Sequence, residues 1–179
     1  DYRRRFYVHS NYGRRFNDGL SRLVAYRCSR RANANVKVAV ADHGFVVSMP
    51  LNRTVDLADV LRSIAPGEVR ADLRTALDGT ELLKRYFRID ATRSLMILKR
   101  YKGYEKSAAQ QQVSSEMLLS FAEELDEFAV IEETYREILE DRLHVEGSRR
   151  FSRRSRRTRS RSSSRQSTRR HRGRSVSRR

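Results

Sequence analysis

The order of apolar and polar positions divides the chain into a strand-rich beginning and a helix-rich remainder. Alternation over residues 5–10 predicts a short strand, and a helix over residues 14–30 follows from apolar positions at helical spacing. Two β-rich runs, residues 36–40 and 45–49, flank a short turn and predict a hairpin. The apolar positions of the predicted helix are Phe16, Leu20, Leu23, Val24 and Cys28.

After Pro50 the pattern predicts helices only. Thr54 is expected to cap a helix that runs through Ile64. Residues 78–81 resemble a capping box that opens a long helix to about Tyr101, which Gly103 ends. Two more helices are expected over residues 107–125 and 128–143. The last of them carries an apolar stripe formed by Phe128, Ile131, Tyr135, Ile138 and Leu139.

The run from Leu95 to Leu98 is apolar at every position, so we expect it in the centre of the helical core. The predicted class is α+β, with a small N-terminal antiparallel sheet or hairpin and a predominantly helical C-terminal half. A disordered basic tail is expected to follow.

Charge separates the chain at Ser148. The 179 residues carry 39 Lys and Arg against 22 Asp and Glu, a net charge of +17. Fifteen of the cations are arginines in residues 148–179, where no acid occurs, so residues 1–147 are close to neutral. The tail has almost no apolar residues and is predicted to be disordered. We therefore expect one folded domain over residues 1–147 and an Arg/Ser-rich tail over residues 148–179.

Sequence motifs for catalysis are absent. The chain has no phosphate-binding glycine loop, no metalloprotease motif and four histidines without ligand spacing, so we assign no catalytic and no metal-binding residues. Its single cysteine, Cys28, lies in a helical pattern and is expected to be a packing residue. No run of 18 apolar residues occurs, and we expect a cytoplasmic protein without a membrane partner.

The richest local chemistry lies between Leu98 and Lys106. Cations can neutralise phosphates, and tyrosine rings can stack on bases. An ordinary basic helix terminus would explain the same residues equally well. The candidate nucleic-acid-binding residues are Lys99, Arg100, Tyr101, Lys102, Tyr104 and Lys106.

A second candidate is the pair Arg14 and Arg15, at a predicted strand-to-helix junction. Helix N-termini bind phosphates through their free backbone N–H groups. A solvated first helical turn is the equally simple alternative.

Several blocks of the chain resemble the Lhr-type (large helicase-related) DNA helicases, especially those of archaea. The resemblance covers roughly residues 7–146, in order and without evident gaps. The blocks are residues 9–20 (HSNYGRRFNDGL), 80–89 (TELLKRYFRI), 93–106 (RSLMILKRYKGYEK), 110–112 (QQQ) and 128–141 (FAVIEETYREILED).

This resemblance implies an accessory domain that follows a winged helix in a superfamily 2, ATP-dependent helicase. Its expected partners are single-stranded DNA, or RNA, and the motor domains of the parent helicase. ATP and magnesium are implied for that parent, whereas no cofactor is assigned to this chain, and whether the chain alone is an enzyme stays open. The tail departs from the family pattern, and we hypothesise a shifted reading frame or a broken gene end.

Two other functions compete with the helicase interpretation. A nucleic-acid-packaging or RNA-binding protein with an Arg/Ser-rich arm would account better for the tail. A pure interaction module that uses the acidic last helix is the third alternative.

Overall fold

A three-stranded antiparallel sheet forms the first third of the molecule in the computed structural model. The structure describes residues 2–53, 55–125 and 127–147. Strands β1 (Arg3–His9), β2 (Lys37–Ala41) and β3 (Gly44–Pro50) lie in the order β1-β3-β2. The predicted hairpin is therefore confirmed, and the first strand joins it along the free edge of β3.

Helices make up most of the remaining described residues, as predicted. A π-helical turn (Ile138–Arg142) continues the last helix directly, and a second, two-stranded sheet lies between the fourth and fifth helices. The helices are α1 (Arg14–Ala32), α2 (Leu57–Ser63), α3 (Val69–Leu77), α4 (Glu81–Arg93), α5 (Ala108–Glu124) and α6 (Ala129–Glu137). The strands of the second sheet are β4 (Arg100–Tyr101) and β5 (Tyr104–Glu105).

Helix α1 is the centre of the fold. It contacts β2, β3, α2, α3 and the π-helical turn, and its predicted apolar face is buried. A Cβ on Gly19 would lie 2.4 Å from the backbone oxygen of Leu143, so only glycine lets α1 approach the end of the chain's helical half this closely. Burial raises the pKa of the Cys28 thiol to about 11, which fits its predicted role as a packing residue.

Register assigns the side chains of the three-stranded sheet to two faces. Residues paired across antiparallel strands point to the same side. The inner face carries Phe45, Val47 and Met49 of β3, which are buried against α1. The opposite face stays open to solvent.

The helical half is held by caps and by one buried polar contact. The Thr80 side chain caps α4 by accepting from the backbone N–H of Leu83, and Ser107 forms a capping box with Gln110 at α5. The Thr134 hydroxyl donates to buried Asp90 at 2.9 Å and so links α6 to α4. The stripe predicted for the last helix packs inward here, since Ile131, Tyr135, Ile138 and Leu139 are buried.

The predicted α+β class is confirmed, but the prediction of helices only after Pro50 is wrong. Helix α4 ends at Arg93, eight residues before the predicted end. The backbone N–H groups of Met96 and Ile97 both donate to the carbonyl of Ala91, so the chain turns out of the helix. Leu95 adopts a left-handed φ of 60° in this turn.

The prediction of a buried Leu95–Leu98 run is also wrong. Ile97 alone of the four is buried, while Leu95, Met96 and Leu98 are exposed. An apolar run indicates a buried helix only if the helix continues through it, and here the turn at Leu95 points successive side chains in different directions.

The start of α2 differs from the prediction as well. Thr54 lies outside the described residues, and the N-cap of α2 is Asp56. Its carboxylate accepts from the backbone N–H groups of Ala58 and Asp59. The helix therefore begins at Leu57, because a carboxylate is at least as good a cap as a hydroxyl.

Candidate nucleic-acid interface

The segment with the richest predicted chemistry forms a β-hairpin. Tyr101 pairs with Tyr104, and a two-residue turn of Lys102 and Gly103 joins them. Both turn residues have positive φ, 48° and 82°, as the tightest hairpin turn requires. Gly103 therefore reverses a hairpin and does not end a helix, which corrects the prediction.

The hairpin extends one residue beyond its two strands. The backbone N–H of Lys106 donates to the carbonyl of Lys99 at 2.9 Å, so these two lysines lie opposite each other at its base. Lys99 is exposed and Lys106 is half-buried. The hairpin thus places these two cations opposite each other across its base.

The ring of Tyr104 is open to solvent, with 82% of the residue's surface exposed. Arg100 lies 3.7 Å from Glu105 in an exposed ion pair, and Lys102 occupies the turn. The side chain of Tyr101 lies outside the described part of the structure. The hairpin therefore presents the open ring of Tyr104 within a group of basic side chains.

Arg14 and Arg15 lie away from this hairpin in sequence, at the start of α1, where the structure confirms a helix N-terminus. Gly13 is the N-cap, and the first turn holds no acidic residue. Arg14 lies 3.8 Å from Asp42 in the β2–β3 turn, and both side chains are well exposed. Asn17 binds the same turn by donating to the carbonyls of Ala41 and Asp42.

The outer face of the three-stranded sheet is a basic and aromatic surface that the sequence reasoning missed. Arg5 and Lys37 flank Ser48 in one cross-strand row, and Tyr7 lies beside Val46 in the next. Tyr7 is 65% exposed. The sequence predicted a strand over residues 5–10, but the face becomes visible only when the register places β1 and β2 on either side of β3.

A shallow, mostly apolar depression of about 290 Å³ adjoins this outer face. Tyr7, Val46 and Ala39 line it, together with His9 and His43 at the end near the start of α1. Arg14 and the outer face therefore approach the same end of the sheet, because Arg14 contacts Asp42 beside His43.

Most of the basic side chains on the helices contact carboxylates. Arg27 of α1 binds Glu68 and Asp72, and Arg74 of α3 makes a two-pronged contact with Glu132. Arg5, Lys37, Lys99 and Lys106 of the two sheets have no ion pair with any residue in the described ranges, and the same holds for Arg15 at the start of α1 and for Arg31, Arg85 and Arg88.

The paired acids of the last helix contribute to this pairing. Glu132 contacts Arg74 and Glu133 contacts Arg136, and these contacts lower the pKa of both carboxyl groups. General acid catalysis requires a raised pKa, so the shifts favour the interpretation of a solvated, ion-paired face. The described residues contain no cluster of three or more potential metal ligands, and none of their helices is long and apolar enough to cross a membrane.

Fold and surface together define an α+β domain whose open basic and aromatic surfaces are of the kind that contacts nucleic acid. Comparison with known proteins identifies its family. The chain belongs to the DEAD/H-associated family, whose model matches residues 1–170.

Relatives named as helicases share this segment. The chain is 40% identical over 145 residues to an ATP-dependent helicase Lhr-Core of Sulfolobus acidocaldarius. The match covers 81% of this chain and 17% of that protein. It is 44% identical over 147 residues to the Lhr-Core helicase of Methanothermobacter thermautotrophicus, again with 81% and 17% covered. These matches confirm the resemblance to Lhr-type helicases, with archaeal relatives among them.

A solved structure has the same fold. The helicase Lhr of Mycobacterium smegmatis, bound to ssDNA and AMP-PNP, matches with a TM-score of 0.71 and 25% identity. The match covers 84% of this chain and 19% of that chain. The present chain thus spans about a sixth to a fifth of these helicases.

Proposed function

We propose that residues 1–147 are an accessory domain of an ATP-dependent helicase and that they bind and guide single-stranded nucleic acid. In this proposal the domain follows a winged helix, the motor domains that bind ATP and magnesium lie elsewhere, and residues 148–179 form a separate basic tail. Family membership supports the helicase assignment, and the ssDNA in the related helicase structure supports the ligand class.

The observation that carries the proposal is the geometry of the hairpin. Lys99 and Lys106 stand opposite each other without a carboxylate partner among the described residues, and Tyr104 is open to solvent. Single-stranded nucleic acid has a phosphate backbone that lysines can neutralise and unpaired base faces on which a tyrosine ring can stack. We assign the backbone to the lysines, with Arg100 and Lys102, and a base to Tyr104.

The outer face of the sheet is a second contact surface in this proposal. Arg5, Lys37 and Tyr7 repeat the combination of unpaired cations and an open ring, with Arg14 and Arg15 at its end. A strand held at two places along one domain would be guided in direction as well as bound.

The test is the salt dependence of binding to a labelled single-stranded oligonucleotide. Each lost lysine–phosphate contact lowers the slope of log affinity against log salt by about 0.7 for single strands. The double variant Lys99→Ala/Lys106→Ala should therefore reduce that slope by about 1.4.

The matched control is the double variant Arg62→Ala/Lys84→Ala. It removes the same charge from side chains that bind Asp59 and Glu81. The Arg/Ser tail is present in every protein compared, so its contribution cancels. An equal loss of slope in both double variants would show that only net charge matters and would refute the hairpin site. Parallel titrations with DNA and RNA oligonucleotides of one sequence decide which substrate is preferred.

A further inference from the structure

Helix α5 carries large apolar side chains on the face that points away from the core. They recur every fourth position, with the last one, Leu125, at the C-cap of the helix, and all four are more than half exposed: Val113 57%, Met117 61%, Phe121 64% and Leu125 56%. Side chains four apart are neighbours on a helix, so Val113, Met117 and Phe121 make a continuous stripe about 12 Å long, and Leu125 follows at its end. We call these four residues the α5 stripe.

The side of α5 opposite the α5 stripe already packs against the rest of the domain. Ser115, Leu119 and Ala122 are buried on the other side of α5, which contacts α4 and α6. A helix that is apolar on both sides is typical of a helix enclosed between two layers. Within the described residues only one of those layers is present.

Clefts at both ends extend the α5 stripe into a grooved surface. Val113 borders an open depression of about 450 Å³ that Lys106 and Ala109 also line. Leu125 borders a cleft of about 430 Å³ that Ile131 and Tyr135 share with the charged side chains of Arg74, Asp78 and Glu132, so the apolar surface itself ends here. Contiguous exposed apolar surface of this kind marks an interaction site on soluble domains.

Charge identifies the chemistry of the partner. Helix α5 contains no Lys or Arg, although the whole chain has 39, and it carries Glu116, Glu123 and Glu124. Helix α5 itself therefore offers no cation to a phosphate backbone, although Lys84 of α4 interacts electrostatically with Glu116 and Glu123, and Lys106 and Arg74 line the clefts at the two ends. The α5 stripe is better matched by a protein surface that is apolar in the middle and polar at its border.

We propose that the α5 stripe docks against the other domains of the helicase in which this segment functions. The occupant follows from length, because related helicases carry more than four fifths of their chain outside the matching segment. This inference rests on the proposed function. It gives the domain an apolar surface for the other helicase domains and a basic, aromatic surface for the nucleic acid.

Methionine oxidation tests the docking directly. The chain has three methionines, and they form a built-in series: Met117 in the α5 stripe, exposed Met96 outside it and fully buried Met49. In the isolated chain, dilute hydrogen peroxide should oxidise Met117 and Met96 rapidly and Met49 slowly, as read by peptide mass spectrometry.

The second arm places residues 1–147 in the Methanothermobacter relative, in exchange for its matching segment. Met117 should then be oxidised at least fivefold more slowly than in the isolated chain. Retained ATP hydrolysis shows that the chimera is folded. Should it lack that activity, the chain is mixed instead with the relative from which the segment has been removed, and the same protection is expected.

Two results would overturn the proposal. Equal oxidation of Met117 in the isolated chain and in both helicase contexts would show that no helicase domain covers the stripe. Protection that appears in the isolated chain as its concentration rises would instead identify a second copy as the occupant.

Variants separate this proposal from the nucleic-acid site. Met117→Ser/Phe121→Ser should abolish capture of the chain by the helicase lacking the segment and leave oligonucleotide affinity unchanged. The matched control Leu95→Ser/Leu98→Ser removes exposed apolar side chains outside α5 and should preserve capture. Lys99→Ala/Lys106→Ala should show the converse behaviour, with Met117 protection retained, so failure of one proposal is distinguishable from failure of the other.

Discussion

Basic side chains have different surroundings in the hairpin and in the helical elements. In the hairpin, Lys99 is exposed and Lys106 is half-buried, and neither has a carboxylate partner in the described structure, whereas Arg27 and Arg74 of the helices lie against carboxylates. The first 147 residues are nearly neutral, yet their cations and anions are unevenly distributed. Under the proposed function, local pairing, more than total charge, separates binding cations from structural ones.

The largest expected effect is a loss of stability when an ion-paired arginine of the helices is replaced. Arg27 is mostly buried and joins α1 to α3 through Asp72, while it also donates to the carbonyl of Ser63 at 3.1 Å. Arg27→Met should lower the free energy of unfolding by about 2–3 kcal/mol, because it leaves a partly buried carboxylate without its partner. Urea denaturation measures the loss.

Arg62→Met is the control for this variant, because its ion pair with Asp59 is exposed on both sides. Arg62→Met should lower the free energy of unfolding by less than about 0.5 kcal/mol. Similar losses for the two variants would mean that burial does not separate structural from solvated ion pairs here.

The next effect is on binding, from the ring of the hairpin. Tyr104→Leu should weaken binding of a single-stranded oligonucleotide by about 1–2 kcal/mol, since it removes a stacking surface. Tyr104→Phe keeps the ring and should bind like the parent chain. Fluorescence anisotropy at fixed salt measures both, and a loss in Tyr104→Phe equal to that in Tyr104→Leu would exclude stacking.

A smaller effect is expected on the outer face of the sheet. Arg5→Ala/Lys37→Ala should lower the salt slope of oligonucleotide binding by up to about 1.4, without a change in thermal stability. Arg70→Ala/Arg136→Ala removes the same charge from side chains that contact Glu140, and it should leave the slope nearly unchanged. Indistinguishable slopes for the two double variants would confine the site to the hairpin.

The smallest effect is a pH dependence in the helical core. Burial and the neighbouring carboxylate of Asp90 raise the pKa of Glu137. An acid whose pKa is higher in the folded state binds its proton more tightly there, so its contribution to stability falls as pH rises through that pKa. The stability of the parent chain relative to Glu137→Gln should therefore increase as pH falls from 7 to 4, by less than about 1 kcal/mol. Denaturation at several pH values checks this, and an opposite trend would show that the contact with Arg93 dominates.

Local patterns in the sequence predicted most of the elements correctly. Alternation and helical spacing identified β1, β2, β3, α1, α5 and α6, and the class followed from their order. The candidate cations between Lys99 and Lys106 were also recognisable, because residue type alone indicates them.

The predictions that were wrong failed because of the backbone conformation of single residues. The left-handed turn at Leu95 ends α4 and exposes side chains that looked like core. The positive φ at Lys102 turns an apparent helix end into a hairpin. Leu95 is not a glycine, so residue type gave no signal for its turn, whereas Gly103 indicated that the helix ends but not that a hairpin forms.

The remaining features are non-local. The outer face of the sheet exists because Lys37 and Arg5 both lie beside Ser48, and strand register is set by tertiary packing. The α5 stripe is likewise non-local, because only the structure shows which apolar face of the helix is already used in packing. The predicted tail over residues 148–179 lies outside the described residues.

The most direct test of the central claim is oligonucleotide binding by residues 1–147 without the Arg/Ser tail. All the paired and unpaired cations compared here lie within these residues, and circular dichroism verifies that they remain folded. We expect single-strand binding to survive, with a salt slope that falls by about 1.4 in Lys99→Ala/Lys106→Ala and stays constant in Arg62→Ala/Lys84→Ala. Loss of all binding with the tail would contradict it and would place the nucleic-acid affinity of the chain in residues 148–179 alone.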